Sequence, residues 1–122
     1  MAIVLVGIGG AFGAVFRFQL GRIISAKQKS AFPYGTFIIN ITGAVLLGIL
    51  TSINAGNSAY LLLGDGFLGA YTTFSTFMYE GFVLFQGKEK LNALIYILAS
   101  LFLGIIGYIA GFVIGNYLLY RL

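Results

Sequence analysis

One apolar segment of this chain contains most of the side chains that can bind a solute. Within the segment 66–80, residues 72–77 intersperse four serine and threonine hydroxyls with two phenylalanines, as Thr72, Thr73, Phe74, Ser75, Thr76 and Phe77. Hydroxyls and irregular backbone at bilayer depth are costly unless they face protein, water or an ion. The segment is therefore predicted to line a site or path that polar solutes reach.

Two other apolar stretches carry isolated polar residues. Thr36 and Asn40 are four residues apart, as are Tyr96 and Ser100, so each pair shares a helix face. Taken singly, Asn40 also fits an interhelical hydrogen bond, and Tyr96 fits an aromatic at the membrane interface. Taken together, amide hydrogens, hydroxyl hydrogens and the positive edges of phenylalanine rings all favour negative charge. Such a lining, without a cationic side chain, suits a small hydrated anion that must pass without sticking.

Composition indicates a membrane protein and argues against an enzyme. The chain has 122 residues, 60% hydrophobic and 8% charged, with mean hydropathy +1.02, whereas soluble domains are about 25% charged. It contains no cysteine or histidine, and its only acids are Asp65, Glu80 and Glu89. Thiolate metal sites, histidine triads and paired-carboxylate mechanisms therefore lack their residues. The net charge of +4 comes from scattered basic residues, which is typical of contact with anionic lipid. These residues form no basic patch with interleaved aromatics, so the sequence argues against nucleic-acid binding.

Four apolar runs long enough to cross the hydrocarbon core, about 20 residues each, predict a single domain over residues 1–122. Polar or breaker-rich loops separate the runs. The predicted helices are Ala2 to Ser25, Gly35 to Ile53, Ala59 to Phe85 and Leu91 to Tyr120. So small a bundle has little interior of its own, and we expect it to be oligomeric.

Glycine spacing predicts where helices approach one another closely. Gly9 and Gly13 form one GxxxG pattern, and Gly107, Gly111 and Gly115 form two more. Small residues at this spacing allow close backbone contact in the membrane, where no hydrophobic effect drives helices together. The pattern identifies packing surfaces but not their partners.

The third predicted helix carries signs of an interruption. Three glycines precede the β-branched pair Thr72-Thr73, and both residue types weaken a helix. A break near residues 69–73 would free backbone carbonyls, which at membrane depth often coordinate a cation such as Na⁺. The alternative is a continuous helix in which the threonines bond back to preceding carbonyls.

Three blocks of sequence together resemble the Fluc (CrcB) family of fluoride channels over essentially the whole chain. The first runs from Gly9 to Phe18 and includes Arg17. The second, beginning at Pro33, includes Asn40, and the third, from Gly69 to Glu80, includes the run Thr72-Thr-Phe-Ser-Thr-Phe77. The third block is the most specific of the three.

The resemblance implies an all-α membrane protein with four transmembrane helices, the third broken, assembled as an antiparallel dimer. Its two-fold axis would lie in the membrane plane, and two fluoride pores would run through the dimer. The implied function is passive, selective export of fluoride from the cytoplasm by a multi-pass protein of a bacterial cell membrane.

The resemblance also assigns roles to individual residues. Phe74 and Phe77 would present ring edges to fluoride, and Asn40 would be a pore donor. The carbonyls of Gly69 and Thr72 from both subunits would hold a structural Na⁺ at the dimer interface. Arg17 would lie near a vestibule. The remaining residues implied at or near the pore are Ser75, Thr76, Glu80, Tyr96 and Ser100.

Three alternatives remain open at this point, and one of them is a non-transporting assembly subunit. A small multidrug-type, proton-coupled transporter has the same size and pairing, but it requires a carboxylate in its first helix, which this chain lacks. The third alternative is a heterodimer with a paralogous subunit, because five basic residues lie at one predicted end of the bundle and only Arg121 at the other. Those five are Arg22, Lys27, Lys29, Lys88 and Lys90.

Overall fold

The computed structural model describes residues 1–121, and within that range the chain is helical with no strand. Three helices are each long and apolar enough to cross a membrane, and their ends lie within two residues of three predicted spans. The helices are α1 (Ala2–Lys27), α2 (Tyr34–Ile53), α3 (residues 57–71), α4 (Ser75–Gln86) and α5 (Lys90–Arg121).

The remaining predicted span, residues 59–85, is occupied by α3 and α4. Between short α-helical ends, α3 contains a π-helical stretch, Tyr60–Leu68. The backbone becomes extended at Thr72, with φ −83° and ψ 159°, and the helix resumes at Ser75. π-Helical turns are rare and concentrate at functional sites. The glycine and threonine pattern predicted weakness here but not π-helical geometry.

Glycines bring the helices together in two pairs, α1 against α3 and α2 against α5. Gly13 faces the backbone of Phe67, and Gly111 faces the backbone of Val45, so closely that a Cβ on either glycine would overlap a carbonyl group. The prediction that these glycines form packing surfaces is confirmed. Their partners lie within the same chain.

We expect Gly13→Ala to destabilise the protein, because its new Cβ would overlap the Phe67 carbonyl and force α1 away from α3. Overpacking of this kind costs about 1–3 kcal/mol. Gly7→Ala is the matched control on the same helix, since a Cβ at Gly7 meets nothing within 4 Å. Thermal unfolding in detergent compares the two, and equal melting temperatures would contradict the packing described here.

The protein's own core is small, and its outer surface is apolar. One buried cluster contains Ile39, Leu50, Leu68 and Tyr71, and a second surrounds Tyr96, which is fully buried. Most large apolar side chains of α1 and α5 are exposed. Such a surface suits contact with lipid and with other helices rather than with water.

Candidate functional site

The extended backbone between α3 and α4 is held by one side chain of α2. The Asn40 amide nitrogen donates to the Thr73 carbonyl at 2.9 Å, and the Thr73 N–H donates to Asn40 Oδ1, also at 2.9 Å. Both backbone groups of Thr73 are thus satisfied without a helical neighbour, as buried backbone requires. The Asn40 side chain therefore stabilises the interruption itself.

Threonine hydroxyls complete the helix ends on either side of the interruption. The Thr72 hydroxyl donates to the Leu68 carbonyl at 2.9 Å, at the end of α3. At the start of α4, the Thr76 N–H donates to Thr73 Oγ1 at 3.3 Å, which is an N-terminal cap. Thr72 and Thr73 therefore have structural roles in this chain, and Thr73 Oγ1 also donates to the hydroxyl of Thr76 at 3.1 Å.

Because of these hydrogen bonds, two backbone N–H groups do not donate to the carbonyls that they would bond in a continuous helix. In a continuous α-helix the N–H of Thr73 would bond the Gly69 carbonyl, but it donates to Asn40 instead. Likewise, the N–H of Thr76 would bond the Thr72 carbonyl, but it donates to the Thr73 hydroxyl. Gly69 and Thr72 also line one cavity of about 550 Å³. Carbonyl oxygens without their helical donors in one cavity fit a hard monovalent cation.

Phe74 and Phe77 lie beside Asn40 where two cavities meet. Their ring centroids are 6.0 Å apart, with the ring planes at 45°. Together with Asn40 they line both the 550 Å³ cavity and a second cavity of about 470 Å³ on the α5 side. Phe77 packs on the Tyr96 ring, with centroids 5.1 Å apart, whereas Phe74 is 74% exposed.

Two hydroxyl groups of α5 are buried near these rings. Tyr96 is fully buried, so the interpretation of Tyr96 as an interfacial aromatic is wrong. Ser100 lines the 470 Å³ cavity. Among residues 1–121, neither hydroxyl has a hydrogen-bond partner. Buried hydroxyls are normally satisfied, so the Ser100 hydroxyl, which lines a cavity, is available to water or to an ion, whereas the Tyr96 hydroxyl lines none of the three cavities.

A third cavity, of about 460 Å³, opens near the end of α1. It brings Arg17 together with Thr73, Thr76 and Glu80. The hydroxyl of Thr36, which lines the same cavity, donates to the Glu80 carboxylate. Two cationic side chains, Arg17 and Arg22, thus line this cavity together with the hydroxyls, and Arg17 is partly buried whereas Arg22 is exposed.

Comparison with known proteins places the chain in a family. The family described as CrcB-like protein, Camphor Resistance (CrcB), matches residues 4–112. The chain belongs to the CrcB family. That match includes every candidate residue from Arg17 to Ser100.

Curated CrcB relatives are similar over nearly their whole lengths. The chain is 64% identical over 107 residues to "Fluoride-specific ion channel FluC 2" of Clostridium acetobutylicum, covering 88% of this chain and 92% of the relative. It is 42% identical over 116 residues to the protein of that name in Bacillus cereus, covering 95% and 98%. It is 43% identical over 102 residues to the protein of that name in Mycobacterium tuberculosis, covering 84% of this chain and 81% of the relative. The relatives are bacterial, and this CrcB chain is a multi-pass membrane protein.

The residues predicted to line the pore do not all lie together. Thr76 lies in the Arg17 cavity and Ser100 in the α5 cavity, while Ser75 is exposed and lines none of the three cavities. Thr36 was noted in the sequence only for its spacing, and its contact with Glu80 could not be predicted. The contact joins positions 44 residues apart, which no local pattern reports.

Proposed function

We propose that this chain is a subunit of a passive, fluoride-selective channel that exports fluoride from the cytoplasm. The observation that supports it best is that Asn40, Phe74 and Phe77 together line two cavities whose walls include no lysine or arginine. Three relatives named as fluoride-specific ion channels support the same function, and a channel is not an enzyme.

The physical problem for such a channel is dehydration, because fluoride holds its water strongly. Ring edges carry positive charge, and an amide nitrogen has two N–H groups, of which the Asn40–Thr73 bond uses one. We infer that the second faces the ion. Several weak donors in series replace water without trapping the anion, as one strong cation would.

The three cavities provide the series of sites that this mechanism needs. Thr73 lines both the Arg17 cavity and the 550 Å³ cavity. Asn40 and the two phenylalanines then connect the 550 Å³ cavity with the α5 cavity, where Ser100 lies. Arg17 would raise the local anion concentration at one mouth, where Thr76 offers a hydroxyl. Ser100 would offer another in the α5 cavity, with Tyr96 beside the pore against the Phe77 ring. Glu80, bonded to Thr36, would lie beside this path.

The assembly we propose is an antiparallel dimer in which α3 and α4 together make the fourth crossing. Exposure of Phe74 on the isolated chain supports a partner, because a ring that contacts the ion must be shielded from lipid. The apolar outer surface of α1 and α5 supports the same arrangement. A two-fold axis would make the interface self-complementary.

At that axis we propose a structural Na⁺ held by the carbonyls of Gly69 and Thr72 from both subunits. The assignment is supported by the N–H groups of Thr73 and Thr76, which donate to side chains and not to these two carbonyls. The ion would neutralise carbonyl dipoles that otherwise face each other at bilayer depth, where unsatisfied backbone costs several kcal/mol.

The partner is either a second copy or a paralogous subunit of opposite orientation. Five basic residues lie near the end of the bundle formed by the loops 28–33 and 87–89, which favours one fixed orientation. The small multidrug transporter is disfavoured, because α1 contains no acid and the family match indicates a channel.

Fluoride efflux from liposomes containing this chain alone tests the proposal. We expect fluoride to leave the liposomes while chloride stays inside, because the proposed series of weak donors suits a small, strongly hydrated anion. A fluoride electrode and a chloride electrode record the two ions under the same potential, with protein-free liposomes as the control. Comparable efflux of both anions would overturn the proposal. Efflux that appears only when a paralogous subunit is added would identify the heterodimer.

A further inference from the structure

Asp65 is the only charged side chain in the wall of the 550 Å³ cavity. It lies in the π-helical stretch, four residues before Gly69 and seven before the extended residue Thr72. Each of the three lines that cavity. The carboxylate therefore shares a space with the two carbonyls that lack their helical donors.

Close packing of α3 against α1 keeps Asp65 directed toward the 550 Å³ cavity. It stands between Gly64 and Gly66, which are both buried, while Asp65 itself is exposed. A Cβ at Gly66 would come 2.8 Å from the Val6 carbonyl oxygen and 3.1 Å from Gly9 Cα. Because α1 approaches so closely there, α3 cannot rotate to direct Asp65 elsewhere.

The Asp65 carboxylate also lacks the partners that the other acids have. Glu80 accepts a hydrogen bond from Thr36, and Glu89 accepts one from Asn92. Within residues 1–121, the Asp65 carboxylate accepts none from any side chain. It lies roughly 10 Å along α3 from its first residue, where an unpaired charge is costly in a membrane. Moreover, an uncompensated carboxylate in a cavity lined by Phe74 and Phe77 would repel an anion there.

We propose that Asp65 is the anionic counter-charge of a cation bound at the Gly69 and Thr72 carbonyls. The proposal rests on the cation site of the proposed function and adds the negative charge that lies near that cation. Two subunits would contribute two carboxylates, so that the groups around the cation carry two negative charges instead of none. The bound cation would in turn offset one of these two charges and weaken their repulsion of fluoride at Phe74 and Phe77.

Sodium retention tests the role of Asp65 without relying on conduction. Protein purified in NaCl is transferred into N-methylglucamine buffer, and the sodium left per protein is measured by elemental analysis over time. One unit charge about one helical turn away changes the release rate by between about threefold and about a hundredfold. We therefore expect Asp65→Asn to lose sodium at least about threefold faster than the unmodified protein, and Asp65→Glu to remain close to it.

Glu89→Gln is the matched control, because it removes the same charge near the loop at 87–89, away from this cavity. It should retain sodium as the unmodified protein does. Equal retention by Asp65→Asn would overturn the proposal, as would an unmodified protein that holds no sodium at the first time point. That last result would also remove the cation site, whereas fluoride efflux from the same preparation tests conduction separately.

Discussion

Replacing Phe77 or Phe74 with isoleucine is expected to abolish most fluoride efflux while the protein still folds. Isoleucine keeps an apolar side chain of similar bulk but has no positive ring edge. If each edge contributes about 2 kcal/mol, as a desolvated contact between an ion and a ring does, efflux falls by about 30-fold. Phe77→Ile should also loosen the contact with Tyr96 slightly, because the two rings pack at 5.1 Å.

The control for these variants is Phe102→Ile on α5. Phe102 is 58% exposed and lines none of the three cavities. Liposome efflux of all three variants, normalised to the amount of folded protein, measures the effect. If Phe74→Ile and Phe77→Ile conduct like Phe102→Ile, the rings serve only for packing and the proposed ion contact is wrong.

Asn40→Leu is expected to damage stability and conduction together. Leucine has nearly the same shape but leaves both the N–H and the carbonyl of Thr73 without their partner. A buried unsatisfied group costs about 1–3 kcal/mol, so the two together cost about 2–6 kcal/mol. Thermal unfolding in detergent and fluoride efflux would record the two losses.

Asn40→Asp separates the two roles of this residue. Its carboxylate can still accept the Thr73 N–H but cannot donate to the Thr73 carbonyl, so about half the stability loss is expected. The new negative charge should nevertheless eliminate efflux, since two like charges 4 Å apart repel by about 4 kcal/mol near a protein surface. Asn116→Leu, on α5 and outside the three cavities, is the control. Normal efflux through Asn40→Asp would show that Asn40 does not face the ion.

Local sequence patterns predicted the long helices well. Unbroken apolar runs fixed the ends of α1, α2 and α5 to within two residues. The GxxxG patterns identified real packing surfaces, because a glycine without a Cβ is needed wherever two backbones touch.

Features that depend on distant contacts could not be predicted in the same way. The Asn40 side chain bonds the backbone of a residue 33 positions away, and no local propensity reports such a bond. The π-helical geometry of Tyr60–Leu68 could not be predicted from local sequence either. Its glycines indicate a weak helix but not a π-helical one, and close packing of Gly9 and Gly66 accompanies the wider turn. The hydrogen bonds of the Thr72 and Thr73 hydroxyls to backbone groups at the helix ends could not be predicted either. A threonine that lines a pore and a threonine at a helix end have the same local sequence pattern.

The Asn40–Thr73 bond imposes an order of events on synthesis. Residues leave the ribosome in chain order, so α2 can enter the bilayer before residue 73 does, and the Asn40 amide then lies in the lipid without its backbone partner. A polar amide in hydrocarbon favours any available hydrogen-bond partner, and a nascent helix of another chain would supply one. The chain is therefore most vulnerable to mispairing between the entry of α2 into the bilayer and the entry of α4. Slowing translation while residues 54–86 are still leaving the ribosome should reduce the yield of assembled protein more than slowing it after they have left.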